Sequence, residues 1–453
     1  TSPLLQTQDA TLQSTIDSAA LSTLPLNGQN FQTATLYVPG SVDPSLAYMA
    51  SSDGNERDAD WLGTPSFNGN RAQTNNYILD GVEINETINN LAAYNPSPEA
   101  IQEMQVITGD ANAEYGNVNG GEIMVVTKSG TSHYHGSAYD YFQNNNMAGT
   151  SWSNSFAGVP STPFTQDQFG ASFGGPILKN KLFFFGDYAG FRYHTGGLGT
   201  ARLEPPDMRK GDFSALLSPQ YGGIQLYNNQ NGAGYSNATE YTDNQVPIVN
   251  PVAKYLFSHP NVYPGPNKAP VAGTLDEDNY EGPTKGHTVN KQGDVRVDYT
   301  IGPHDTLMGR YSYGDAYDFT PQPVLPTAFP SLNDYPFQSF VSSWVHTFSP
   351  NLQNEFRAGV TREVVDQGVP SDPTGLFGSG GDNTVGLPFP GQAFPGFSQM
   401  AFGGVESNVG AVGIVTEFHE NNFYYCDNFS WQHGRHTTKF GAQILRYQQS
   451  NYY

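Results

Sequence analysis

Nine stretches of alternating apolar and polar residues constrain this chain more than any other feature. They fall near 134–144, 167–176, 182–193, 289–300, 306–316, 338–348, 352–363, 422–432 and 437–448. A β-strand turns successive side chains to opposite faces, so each stretch describes a strand with one greasy and one polar side. From Gly293 to Ile301, Val295, Val297, Tyr299 and Ile301 share one face, while Asp294, Arg296, Asp298 and Thr300 share the other. Thr306–Tyr313 sets Leu307, Tyr311 and Tyr313 against Thr306, Arg310 and Ser312. Leu352–Thr361 sets Leu352, Phe356, Ala358 and Val360 against Gln353, Glu355, Arg357 and Thr361.

The connections alternate as well. Leu178–Lys181, Gly302–Asp305, Ser349–Asn351 and His433–Arg435 read as tight turns, whereas 194–288 and 365–421 are long. Strands of about 9–11 residues with short turns at one end and long loops at the other are the pattern of an outer-membrane β-barrel. A soluble sandwich gives no reason for loop lengths to alternate so regularly. Tyr311, Tyr313, Phe423, Tyr425, Phe429 and Trp431 sit toward strand ends, as interfacial aromatic girdles would. With Val297, Tyr299 and Leu307 facing lipid, arginine at 297 is expected to cost far more than loss of Arg296 from the polar face.

Composition closes other routes. A formal charge of −22, from 20 Lys+Arg against 42 Asp+Glu, opposes nucleic-acid binding, which needs a basic surface to displace counterions from phosphate. No apolar run approaches the roughly 18 residues of a membrane helix. The single cysteine, Cys426, excludes a bridged scaffold and reads as a strand residue. The chain opens at Thr1 without an initiator Met or signal peptide, so it is expected to begin inside a longer product.

Up to about Gly130 the pattern is mixed. Leu12, Ile16, Ala19 and Ala20 carry helical spacing, and Ser97-Pro98-Glu99 reads as a helix start with Pro in the first turn. Tyr77–Leu79, Met104–Thr108 and Ile123–Thr127 read as short strands. Asp80-Gly81 reads as a tight turn, and Gly120-Gly121 as a place of close backbone approach or positive φ. These residues describe a small α+β unit.

Several strings then carry a family resemblance. LPLNGQNF (Leu24–Phe31), NNYILDGVEIN (Asn75–Asn85) and EYGNVNGGEIMVVTKSG (Glu114–Gly130) resemble the plug domain of TonB-dependent outer-membrane transporters, in their Oar-like, carboxypeptidase-regulatory-like branch. FGGPILKNKLFFFGDYAGFR (Phe173–Arg192), HTFSPNLQNEFRAG (His346–Gly359) and DNFSWQHGRHTTKFGAQI (Asp427–Ile444) resemble the early barrel of the same branch. The resemblance implies a mainly β fold: a plug domain over 1–130, then over 131–453 the N-terminal part of a large antiparallel transmembrane barrel. About nine strands are present of an expected 22, with 194–288 and 365–421 as long extracellular loops. It further implies a Gram-negative outer membrane, lipid contact, uptake of an extracellular substrate, and energy from the TonB complex through a segment absent here. An incomplete barrel should appear as an open, curved sheet around the plug, apolar outside and polar within.

Candidate substrate contacts are the apical plug loops 53–61 and 85–94, specifically Asp53, Glu56, Asp58, Asp60, Trp61, Asn89 and Tyr94. Aromatic and Asn-rich loop sequence such as Tyr221–Tyr241 favours a glycan or peptide over a small ferric chelate, since stacking and amide hydrogen bonds suit large neutral ligands. No catalytic group, cofactor or metal is assigned. Gly170-Ala171-Ser172-Phe173-Gly174 matches the nucleophile-elbow string, but it lies in an alternating strand without a following helix. His133 and His135 share a strand face without a third ligand, and the acidic run from Asp53 to Asp60 lacks calcium-loop spacing. Asp276-Glu277-Asp278 reads as a solvated loop. Two other functions compete: an extracellular glycan-binding or adhesive β protein, and a passive porin, against which the 130-residue unit before the first long strand argues.

Overall fold

The computed structural model describes residues 11–452 except 25, 27–29, 43–64, 88–89, 112, 117, 151, 159–160, 229–237, 320–323, 373, 389–393, 404–405 and 412–414. Two sheets dominate it. The first is built from β1 (Leu12–Asp17), β2 (Asn76–Leu79), β3 (Val82–Glu83), β4 (Ile101–Gly109) and β5 (Glu122–Thr127), in the order β1-β4-β5-β2-β3. The second is nine-stranded and antiparallel, its strands paired in sequence order from β6 to β14. These are β6 (His135–Asn144), β7 (Phe164–Leu178), β8 (Leu182–Ala201), β9 (Tyr280–Thr300), β10 (Asp305–Phe319), β11 (Ser331–Ser349), β12 (Leu352–Pro370), β13 (Thr416–His433) and β14 (His436–Tyr452).

All nine alternating stretches are therefore strands, and consecutive ones pair. Most run further than the alternation suggests: β8 reaches Ala201 and β9 begins at Tyr280, so the connection between them is 202–279, and that between β12 and β13 is 371–415. The extensions escape a pattern search because glycines interrupt them, as in Gly196-Gly197 of β8, yet every residue there keeps its ladder partner in β9. The sheet is open, with β6 and β14 at its edges.

Its faces separate as alternation requires. Val295, Tyr311, Phe340, Trp344 and Ile444 are exposed on the convex side. Asp294, Arg310, Ser312, Ser339 and Glu363 are buried on the concave side, several of them against the first sheet. No described helix is long and apolar enough to cross a membrane, so only strands can do so.

The N-terminal unit has its own core, in which Phe31, Phe67, Tyr77, Leu79, Met104, Val106, Ile123 and Val125 are buried, joined by Phe337 from β11. Two local expectations need correction. Helical spacing over Leu12–Ile16 gives way to strand β1, because pairing along the edge of β4 (Gln13 opposite Ile107, Ile16 opposite Met104) outweighs weak helix propensity. The helix begins only at Ser18, where Asp17 caps it by accepting from the Ala20 amide at 2.8 Å. Ser97 does cap a turn, but a single 3-10 turn over Pro98–Ala100, since β4 starts at the next residue. The Gly120-Gly121 pair resolves to close approach: a Cβ on Gly121 would strike the Phe67 ring.

The long connections fold together. Leu203, Val252, Leu256, Val262, Tyr263, Phe329, Phe377, Val385, Phe397 and Val409 form one buried cluster drawn from 202–279, the end of the link after β10, and 371–415. Asp276 and Glu277, read from sequence as a solvated run, are held there by Arg202 at 3.4 and 3.6 Å.

The two faces make a depth-dependent prediction. Val295 lies near the middle of the band that the short turns imply, and Ile301 at its edge. Val295→Arg should destabilise the full-length protein by about 2–4 kcal/mol and Ile301→Arg by about 0–1 kcal/mol in folding titrations into lipid vesicles; the reverse ranking would mean the register is inverted.

Candidate functional site

The site is where the N-terminal unit meets the concave wall. β2 and β3 form a two-residue hairpin whose corner, Asp80-Gly81, takes φ of +48° and +79°. That left-handed pair is what a tight I′ turn needs, and Asp-Gly supplies it at low cost. Glycine at 81 also makes room for Arg357, since a Cβ there would displace its guanidinium, whose Nη1 donates to the Gly81 carbonyl at 3.1 Å.

The turn projects Asp80 into the wall. Its Oδ1 accepts from the Thr127 amide at 2.9 Å and its Oδ2 from the Thr127 hydroxyl at 2.7 Å. Arg296 Nη1 lies 3.2 Å from Oδ1, and Arg310 Nε lies 3.0 Å from Oδ2 as an ion pair rather than an aligned hydrogen bond. Arg296 and Arg310 stand directly opposite each other on β9 and β10. Like charges in that position repel, and the Asp80 carboxylate lies between them and is shared by both, while Arg296 also pairs within the wall with Asp298 at 2.9 Å.

A second carboxylate continues the network. Asp294 accepts from the Tyr94 hydroxyl at 2.8 Å and from Ser312, with Arg310 at 3.8 Å. Gln292 donates to the Asn95 carbonyl at 2.6 Å, and the Ser129 hydroxyl donates to Asp298 at 2.8 Å. Further round, Glu420 accepts from the Thr87 amide and hydroxyl, Tyr447 donates to Glu83 at 2.6 Å, and Lys439 pairs with Glu114 at 3.0 Å. The N-terminal unit is thus tied to strands along most of the wall.

Of the substrate-contact candidates, Tyr94 is fully buried, hydrogen-bonded to Asp294 and stacked on Phe337 at 4.9 Å. It belongs to the contact with the wall and presents no exposed surface. Asp53, Glu56, Asp58, Asp60, Trp61 and Asn89 lie outside the described residues. Arg296, expected to be replaceable, is a fixed part of the ion-pair network. Ser172 sits within β7, its hydroxyl 2.9 Å from that of Ser137, so the elbow string is a strand. His135 faces the Phe185 ring and no third ligand accompanies it among the described residues.

Elsewhere, the loop cluster carries an open cavity of about 450 Å³ lined by Met208, Phe213, Leu216, Tyr221, Asp276 and Glu406, among others. Burial and the neighbouring carboxylates of Glu204 and Asp276 raise the Glu406 pKa to about 8.

The comparisons with known proteins agree with this geometry. Residues 126–453 match the family model for an outer membrane beta barrel domain, and residues 9–121 match the TonB-dependent receptor plug domain. The chain belongs to this family of plugged outer-membrane β-barrels and is an outer-membrane protein. It is similar to the TonB-dependent transporter Oar of Myxococcus xanthus, with 36% identity over 146 residues, 31% of this chain and 14% of that protein. Among solved structures it is similar to the outer membrane transporter YddB from Escherichia coli, with TM-score 0.59 and 11% identity over 97% of this chain and 48% of that one. The siderophore receptor PirA from Acinetobacter baumannii aligns with TM-score 0.49 and 12% identity, over 96% of this chain and 48% of that one. The chain thus spans about half the length of these structures and a smaller share of the curated relative.

Asp80→Asn should remove the one carboxylate that Arg296 and Arg310 share, leaving Arg296 with Asp298 and Arg310 with Asp294, and cost about 3–5 kcal/mol, read as a lowered unfolding midpoint in detergent; the more open Asp298→Asn should cost clearly less. Glu122, in β5, is buried with one oxygen unpartnered and the other accepting from Asn76 at 3.2 Å, and burial raises its pKa from 4.5 to about 7. The folded state then holds the proton more tightly than the unfolded one, so this contribution is full below pH 4.5 and is lost as pH rises through about 7. At most about 3 kcal/mol is involved. Glu122→Gln should flatten that part of the stability profile, and an unchanged slope between pH 4.5 and 7 would refute it.

Proposed function

We propose that the full-length protein is a gated importer of the outer membrane, in which residues 1–130 are the plug, residues 131–453 are the first part of the wall, and energy comes from the TonB complex. The single observation that supports this reading best is the Asp80 network: an N-terminal unit held by buried ion pairs against the polar concave face of a strand wall. Such an arrangement blocks free passage yet is separable in principle. It fits neither a passive porin, whose lumen is open, nor an adhesin, which has no use for a polar face turned inward.

On this reading the long connections 202–279 and 371–415 are extracellular. The substrate, a glycan or a peptide, meets them first, and the cavity bearing Phe213, Tyr221 and Glu406 offers aromatic faces and hydrogen-bonding groups for it. Asp53, Glu56, Asp58, Asp60, Trp61 and Asn89 are proposed as contacts from the plug side. The role is transport without catalysis.

Liposome swelling separates the alternatives. Vesicles carrying the full-length protein should not swell in arabinose, and vesicles carrying the same protein without residues 1–130 should. Swelling with the intact protein would favour the porin. Recovery of the intact protein from cells without detergent would favour the adhesin. In living cells, uptake of labelled oligosaccharides or peptides that needs this protein should also stop when TonB is deleted.

A further inference from the structure

A group of side chains on the opposite face of the wall has no part in the network at Asp80. Asp366 on β12 pairs in register with Glu417 on β13, and on its other side with Asp334 on β11. Three carboxylate residues therefore stand in one transverse row on the convex side. Like charges directly opposite each other on neighbouring strands cost stability, and a cation between Asp366 and Glu417 would relieve that cost.

His419, two residues along β13 on the same face, supplies what turns this row into a defined site. One ligand atom from each of Asp366, Glu417 and His419 lies within 4.8 Å of the other two. His419 Nε2 is 3.7 Å from Asp366 Oδ1, too far for a hydrogen bond, and that oxygen is shielded from solvent with no donor. A neutral imidazole and two carboxylates are the donor set of a zinc-class ion rather than of calcium, which takes oxygen ligands. With bonds of about 2.1 Å, tetrahedral ligands sit about 3.4 Å apart. Small side-chain rotations close the present spacing to that value, because the backbone positions are already fixed by the ladder.

We propose that Asp366, Glu417 and His419 form a binding site for a divalent transition-metal ion, zinc by preference, that clips β12 to β13 at the root of the 371–415 connection. The position permits access. About fifteen residues separate Asp366 from the tight turn at the other end of β12, roughly 50 Å of strand and roughly 35 Å of height at a 45° tilt. An apolar band about 25 Å tall ends below it. The fourth ligand position is left to water.

The test is calorimetric titration of zinc chloride into the purified full-length protein in detergent, beside His419→Ala and Asp366→Asn. Both substitutions are at the rim of the sheet, outside the contact with the plug. One saturable equivalent is expected, with affinity at least tenfold weaker in each variant and a zinc-induced rise in unfolding midpoint that both variants lose. Zinc binding unchanged in the variants would overturn the proposal, as would no saturable binding to the parent protein. Calcium binding as tightly as zinc, with His419→Ala without effect, would overturn it too, since the row would then be an acidic patch in which the imidazole has no part.

Discussion

Arg296 and Arg310 face each other across two neighbouring strands, and the rest of the architecture follows from what makes that tolerable. Buried guanidinium groups side by side carry a desolvation cost and a repulsion that the wall relieves only in part, through Asp298 beside Arg296 and Asp294 at 3.8 Å from Arg310. The carboxylate that both share is Asp80, more than 200 residues earlier in the chain, carried in by a hairpin corner that favours a residue pair tolerant of positive φ. The strand wall and the N-terminal sheet are therefore not two domains that happen to touch. Each presents polar groups whose partners belong to the other, and Asp294 with Tyr94 repeats the arrangement one step along the same strand.

The wall itself was legible because its strands obey a two-residue period over long distances, and because a membrane imposes that period on the outside as firmly as the plug does on the inside. Strand ends were not legible where Gly196 and Gly197 erase the alternation while the ladder continues. In the N-terminal unit, strand β1 hid behind helical spacing, because its conformation is decided by the open edge of β4 rather than by its own residues.

The candidate site was half legible. The turn at Asp80-Gly81 could be read from the dipeptide, and the opposition of Arg296 to Arg310 was available from the tight turn after Thr300, which fixes the register of the whole β9–β10 hairpin. No local signal said that the turn and the hairpin would meet. Tyr94 shows the converse: a loop aromatic that looks like a substrate contact is buried by a partner residue 200 positions away. Asp366, Glu417 and His419 come together only through the pairing of β12 with β13, across a connection of more than forty residues whose length no spacing rule anticipates.

These same contacts set the terms on which the plug can move. Withdrawing Asp80 exposes two opposed arginines and leaves Asp294 and Glu420 without the N-terminal groups that donate to them. A buried pair broken from one side costs about 3–5 kcal/mol, and several such contacts would have to go together. Thermal fluctuation of that size is rare, so on the proposed reading a plug held in this way stays shut unless work is done on it or a ligand compensates the lost contacts. Charge is concentrated on the β9–β10 side, at Asp80, Arg296, Arg310 and Asp294, whereas the contacts to β13 and β14 through Thr87, Glu83 and Glu114 are more exposed and mostly pair one group with one. The second group is the weaker, and on the proposed reading the plug would part from β13 and β14 first while the Asp80 corner remains the hinge.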